Sequence, residues 1–171
     1  GAGKTTIFNV ISGFYKPSAG KIFYEGESIG GLQPHLVAAK GLVRTFQETT
    51  LFQEFSTFEN ALMGRYLHTK SSMVSALFGT QRASERAAEE KTIEVLEFLG
   101  LADRKDELAL NLPHGLQRAL GIAVALTAEP KLLLLDEPFA GMNPEETRNM
   151  MDLIRRVRDS GITILLVEHD M

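Results

Sequence analysis

Gly1-Ala2-Gly3-Lys4-Thr5-Thr6 opens the chain, and Gly3, Lys4 and Thr5 match the last three positions of the phosphate-binding pattern G-x-x-x-x-G-K-[ST]. Glycines in such a loop let a polyphosphate approach the backbone, and the stretch from Gly1 to Thr6 is the candidate cradle. In that pattern Lys4 reaches the β and γ phosphates and the Thr5 hydroxyl ligates Mg²⁺. A helix following the loop adds its N-terminal amides and the positive end of its dipole. The earlier positions of the motif would precede Gly1, so the sequence reads as a fragment that begins inside it. Taken alone, the stretch fits a glycine turn before an ordinary helix about as well as it fits a nucleotide loop.

The run Leu132-Leu133-Leu134-Leu135-Asp136-Glu137 shifts that balance. Four leucines predict a buried strand, and two carboxylates at its end are costly unless a cation or a proton offsets their charge. Mg²⁺ is the expected cation, held by Asp136 through water, while Glu137 acts as general base on the attacking water. Capping of the next helix by these acids is the bland alternative, but Pro138 and the turn at Gly141 delay that helix to Pro144.

Composition excludes several classes. The 171 residues are 44% hydrophobic and 23% charged, as expected of an ordinary globular domain rather than a disordered or fibrous chain. No apolar run approaches the roughly 18 residues that span a bilayer, and the polar start is unlike a secretory leader. A net charge of -4 offers no general footprint for nucleic acid, so no nucleic-acid partner is expected. Cysteine is absent, which removes disulfides and thiolate chemistry and is compatible with a reducing compartment. Arg155, Arg156 and Arg158 interleave with Asp152 and Asp159, the pattern of a solvated helix face.

Local patterns predict the remaining elements. Thr5 to Phe14 reads as a helix stopping at Gly13; Lys21–Tyr24 and Leu42–Phe46 read as short strands, the second delivering Gln47 at its end. Ser56-Thr57-Phe58-Glu59 has the capping-box form, and Gln81 to Leu99 shows helical spacing through Ala87, Ile93, Leu96 and Leu99. Ser71 to Thr80 lacks a firm period and reads as a loop or short helix. Asn143 and Pro144 form an N-cap followed by proline at the first helical position, and Ile162 to Val167 reads as another buried strand. The fold class is therefore α/β, a phosphate-loop NTPase core with a parallel sheet flanked by helices and interrupted by an all-helical subdomain. Residues 1–47 and 115–171 are assigned to the core, incomplete at both ends, and 48–114 to the helical insertion.

Lys4-Thr5, Gln47 after a strand, Leu112-Pro113-His114-Gly115-Leu116-Gln117-Arg118, Asp136-Glu137-Pro138, Ala140-Gly141-Met142-Asn143 and His169 stand in the order found in ATP-binding-cassette ATPases, which the whole chain resembles. The resemblance implies ATP and Mg²⁺ as cofactors. It makes Gln47 a contact to the metal and the attacking water, and His169 the switch histidine at the γ phosphate. Gly115, with Pro113 and His114, becomes the signature loop acting in trans on ATP bound by a second subunit, identical or not; Met142 and Asn143 become the D-loop. Val43-Arg44-Thr45-Phe46-Gln47, Ala140 to Pro144 and Val167 to Met171 are similar to the ATPase subunits of branched-chain amino acid importers. Importers of urea or other amino-acid-like solutes share much of this pattern.

That resemblance implies permease subunits in the membrane as partners, a solute-binding protein outside the cell acting indirectly, and a peripheral location on the cytoplasmic membrane face. The signature departs from the common form: Pro113 and His114 replace a serine and a glycine, and Leu116 replaces a glutamine. Gly115 can keep the backbone role, whereas the serine hydroxyl is lost. Leu51, Phe52, Phe55 and Phe58 resemble the groove that receives a coupling helix from the membrane subunit, and packing between subdomains accounts for them equally well. A soluble ATPase of DNA repair or translation, and a regulatory module without catalysis, are the competing functions; the lack of sustained heptads between Gln47 and Leu112 disfavours the DNA-repair form.

Overall fold

The computed structural model describes residues 3–45, 51–68 and 81–168. Helix α1 (Lys4–Ile11) is followed by a hairpin of β1 (Phe23–Tyr24) and β2 (Glu27–Ser28), then α2 (Pro34–Ala38) and β3 (Leu42–Arg44). Helices α3 (Thr57–His68) and α4 (Gln81–Leu99) form the helical part, with short 3-10 turns at Ala102–Arg104 and Ala109–Asn111. Helix α5 (His114–Leu126), strand β4 (Leu132–Asp136), helix α6 (Pro144–Asp159) and strand β5 (Thr163–Val167) complete the order.

Strands β3, β4 and β5 form a parallel sheet in that order, with Val43 opposite Leu133 and Asp136 opposite Val167. The register runs past both strand ends, because Thr45 N donates to Leu134 O and Glu137 N donates to Val167 O, each at 2.9 Å. The tetraleucine prediction holds, and alternation explains it: Leu133 and Leu135 join one core and Leu134 another. The first core reaches into α4, α5 and α6 through Leu96, Leu120 and Val157; the second contains Phe8, Ile29, Val37 and Leu42. A strand covered on both faces loses nothing by being leucine throughout.

Helix α3 packs on α5 at a position where side chains are excluded. A Cβ on Gly64 would lie 1.9 Å from Val124 O and 2.4 Å from Thr127 Oγ1. The buried Thr127 hydroxyl donates to Ala61 O at 2.8 Å, so the polar atom at this crossing is satisfied by the facing helix. The capping box opening α3 forms as expected: Ser56 N donates to Glu59 Oε2 at 2.8 Å and Glu59 N donates to Ser56 Oγ at 3.1 Å.

Several expectations need correction. Strand β5 is not buried: Leu165 and Leu166 are 40% and 37% exposed, since among the described residues β4 is its sheet neighbour and the strand lies at the edge. In α4 the inward stripe is Ala88, Thr92, Val95, Leu96 and Leu99, while Ile93 and Ala87 are exposed. The polar Thr92 disguised that stripe; its hydroxyl donates to Ala88 O at 2.7 Å, which lets it sit in the core. Helix α1 ends at Ile11 rather than Gly13, and α2 and β2, too short for a periodic signal, went unpredicted. Ser71 to Thr80 lies outside the described residues.

Candidate functional site

Gly3 caps α1 in the left-handed region at φ 76°, a conformation costly for other residues. The helix then starts at Lys4 with no side-chain cap and no acid in its first turn. Its opening amides and dipole end therefore remain available to an anion. Thr5 and Thr6 are exposed on this turn, and Lys4 is half-buried. The Lys4 ammonium donates to Glu168 O at 2.5 Å, which brings the start of α1 to the end of β5.

Asp136 closes β4 at 3% exposure. The cation beside it in the structure is Arg44 of β3, whose Nη2 lies 2.7 Å from Asp136 Oδ2, with the two side chains 6% and 3% exposed. Arg44 is therefore a counter-ion of Asp136 that the sequence reading did not assign. The same guanidinium donates to Asn9 Oδ1 at 2.6 Å and Ser12 Oγ at 3.3 Å, and lies 5.5 Å from the centre of the Phe8 ring. Three residues of α1 and its cap are thereby tied to the carboxylate.

Glu137 follows at φ 49°, one of three non-glycine residues at positive φ among the described residues, and is buried. Backbone strain of this kind persists only where the surroundings over-determine it. Here Glu137 N is bound by Val167 O, and Glu137 O accepts from Ala140 N at 3.2 Å. The loop beyond is held from β5 as well, since Phe139 N donates to Glu168 Oε1 at 3.2 Å.

The start of α5 lies beside the turn that precedes α6. Pro113 is the N-cap of α5 and offers no side-chain hydrogen bond, in keeping with the lost serine hydroxyl. A Cβ on Gly115 would come within 3.5 Å of Glu146 Oε1, and one on Gly141 within 3.7 Å of His114 Cε1. Asn143 caps α6 as predicted, accepting from Glu145 N and Glu146 N, while Glu146 Oε2 accepts from Asn143 N at 3.0 Å. The Glu146 side chain thus lies between the turn at Asn143 and the first turn of α5 at Gly115.

Lys4, Asp136 and Glu137 are accordingly gathered at the ends of β4 and β5. Gly1, Ala2, Gln47 and His169 lie outside the described residues. Sequence reading passed over Arg44, Asn9 and Glu168 as functional groups. A signal existed for Arg44: a lone cation after Leu42 and Val43 in a buried strand demands a counter-ion. Among the described residues no group of three or more acidic or histidine side chains forms a metal cage. The donors nevertheless fit Mg²⁺ brought by a nucleotide. Asp136 Oδ1 is buried and has no hydrogen-bond partner among the described residues, and Mg²⁺ uses one or two carboxylates together with substrate phosphates.

A profile of the family described as "ABC transporter" matches residues 1–140. Over 174 aligned residues the chain is 44% identical to the high-affinity branched-chain amino acid transport ATP-binding protein BraF of Pseudomonas aeruginosa, covering 100% of this chain and 68% of that protein. Identity to LivG of Escherichia coli K12, which carries the same description, is 41% with the same coverage. Among solved structures, a nucleotide-free ATP-binding cassette from an ABC transporter superimposes with a TM-score of 0.84 at 32% identity, over 98% of this chain and 66% of that one. An ATP-binding cassette in its ADP conformation gives 0.82 at 30% identity, over 99% of this chain and 66% of the other. The chain thus spans about two thirds of the length of its relatives. Similarity of this extent reaches far beyond one phosphate loop, and the chain belongs to the ABC transporter family.

Proposed function

We propose that this chain is the ATP-binding and ATP-hydrolysing part of a subunit that powers import of branched-chain amino acids or similar solutes. The contact between Lys4 and Glu168 carries the reading, because it draws the phosphate-loop lysine to the strand end that bears Glu168 and precedes His169. Similarity to branched-chain amino acid transport ATP-binding proteins favours import over soluble DNA-repair or translation ATPases and over a regulatory module.

In this reading residues 1–47 and 115–171 are the nucleotide core and 48–114 the helical insertion. The amides of Gly1 to Thr6 bind the phosphates and Lys4 orients the γ phosphate. Thr5, Gln47 and Asp136 would hold Mg²⁺, which when bound neutralises charge on the β and γ phosphates. Glu137 takes a proton from the attacking water, and His169 and Gln47 orient the water and the γ phosphate. Pro113, His114 and Gly115 close over ATP on a second ATPase subunit, His114 and Gly115 through their backbone amides and Pro113 as the cap that starts α5.

ATP closes the dimer and hydrolysis lets it reopen; the difference in affinity between the two states is what moves the permease subunits. Phe52 and Phe55, 50% and 40% exposed with rings stacked 5.1 Å apart, offer the docking point for a permease helix on the cytoplasmic face of the membrane. Among the described residues no helix is long and apolar enough to cross a membrane.

The test uses the full-length protein with its permeases in proteoliposomes, measuring ATP turnover and uptake of leucine. Glu137→Gln should retain ATP binding, trap the closed dimer and lower turnover by about 10²-fold or more. Undiminished hydrolysis in that variant removes the base assignment, and ATP-independent uptake removes the transport reading.

A further inference from the structure

Arg44 is the most heavily engaged cation near the site. It is buried against the first of two acids that the reading above gives to metal and water, and its hydrogen bonds reach back into α1. The geometry at Asp136 is asymmetric. Oδ2 receives Arg44 Nη2 at 2.7 Å, whereas Oδ1 has no partner among the described residues. Ser12 is prepared for its part, since its own hydroxyl proton goes to Phe8 O and leaves the oxygen to accept from Arg44.

A buried carboxylate without a counter-ion would attract any available cation strongly in a low-dielectric setting. Arg44 cancels that attraction before nucleotide arrives. Mg²⁺ gives up its water shell reluctantly and relies on substrate phosphates when few carboxylates are offered. We propose that Arg44 is a positioning residue and resident counter-ion: it holds Oδ2, leaves Oδ1 for the metal that enters with ATP, and keeps the nucleotide-free site from capturing a divalent cation. Because Asn9 and Ser12 share its guanidinium, the same side chain sets the distance between α1, with Lys4 at its start, and the end of β4. The inference rests on the proposed role of Asp136 at the metal and adds the order of arrival, metal with nucleotide rather than before it.

The experiment uses full-length, nucleotide-free protein, reading thermal denaturation with and without millimolar Mg²⁺ and the binding of Mn²⁺ by electron paramagnetic resonance. Wild type should show no Mg²⁺-dependent rise in Tm. Arg44→Met should melt lower without metal, gain roughly 4 °C or more on adding Mg²⁺, and bind Mn²⁺ at least about 10-fold more tightly than wild type. Arg44→Met/Asp136→Asn should lose both responses, and Arg44→Lys should stay as insensitive as wild type. An Arg44→Met protein indifferent to Mg²⁺, or a wild type that responds equally, overturns the proposal.

If Arg44→Met does not fold, the double variant must, because no buried carboxylate is then left uncompensated; failure of both also overturns it. A separate arm measures Mn²⁺-ADP binding to Asp136→Asn. Unchanged binding there removes Asp136 from the metal, an outcome distinguishable from failure of the counter-ion role.

Discussion

The ammonium of Lys4 donates to the backbone carbonyl of Glu168 at 2.5 Å, closing a contact across 164 positions of sequence. It ties the start of α1 to the end of β5, and the Glu168 carboxylate in turn holds Phe139 N of the loop after Glu137. One residue therefore links the lysine to the segment that carries the candidate base.

Lys4→Ala should lower the affinity of full-length protein for ATP by about 10-fold or more, since a charge-assisted contact to phosphate is lost. The half-buried site limits the effect on stability to about 1 kcal/mol, the scale of one hydrogen bond. A nucleotide titration alongside thermal denaturation separates the two. Unchanged affinity would remove Lys4 from the phosphate site.

Gly64→Ala should be far more damaging than its chemistry implies. The added methyl would meet Val124 O at 1.9 Å, a backbone atom that cannot swing aside, so α3 and α5 must separate. A loss of about 3 kcal/mol or more is expected, lowering Tm by roughly 6–12 °C. A variant melting within a degree of wild type would contradict the close crossing of these helices.

Phe55→Ser tests the surface reading of the aromatic segment. Leu51 is buried in the core and Phe58 packs against it, whereas Phe52 and Phe55 face outward as a stacked pair. The substitution should abolish solute-dependent stimulation of ATPase activity in the permease complex and leave ATP binding within about 2-fold. Parallel loss of both would return Phe55 to a packing role.

The capping box at α3 predicts a pH dependence. Hydrogen bonds from Ser56 N–H and then from the Ser56 hydroxyl hold the Glu59 pKa below its ordinary value. A depressed folded-state pKa means that its contribution is present above the unfolded carboxylate pKa and is lost as pH falls through the folded value. Glu59→Gln keeps the geometry but not the titration. The stability difference between the two proteins should therefore shrink between about pH 5 and pH 3 in urea titrations, and a constant difference would remove this role.

Much of this protein is legible locally. The hydrogen-bonded boxes at Ser56/Glu59 and Asn143/Glu146, the span of α4 and the leucine strand β4 each follow from residues within a few positions of one another. Helix propensity, capping and apolar runs are short-range properties, and so these elements and the phosphate motif could be read from the chain alone. Tertiary structure decided what those elements meet. Parallel strands distant in sequence place Arg44 beside Asp136, a pairing set by sheet register and not by spacing. It likewise decided that Thr92 turns inward on a local hydrogen bond, that β5 keeps exposed leucines at the sheet edge, and that Gly64 is required by a carbonyl on another helix. Charge pairing and steric fit depend on distances between segments, and those distances exist only once the chain has folded.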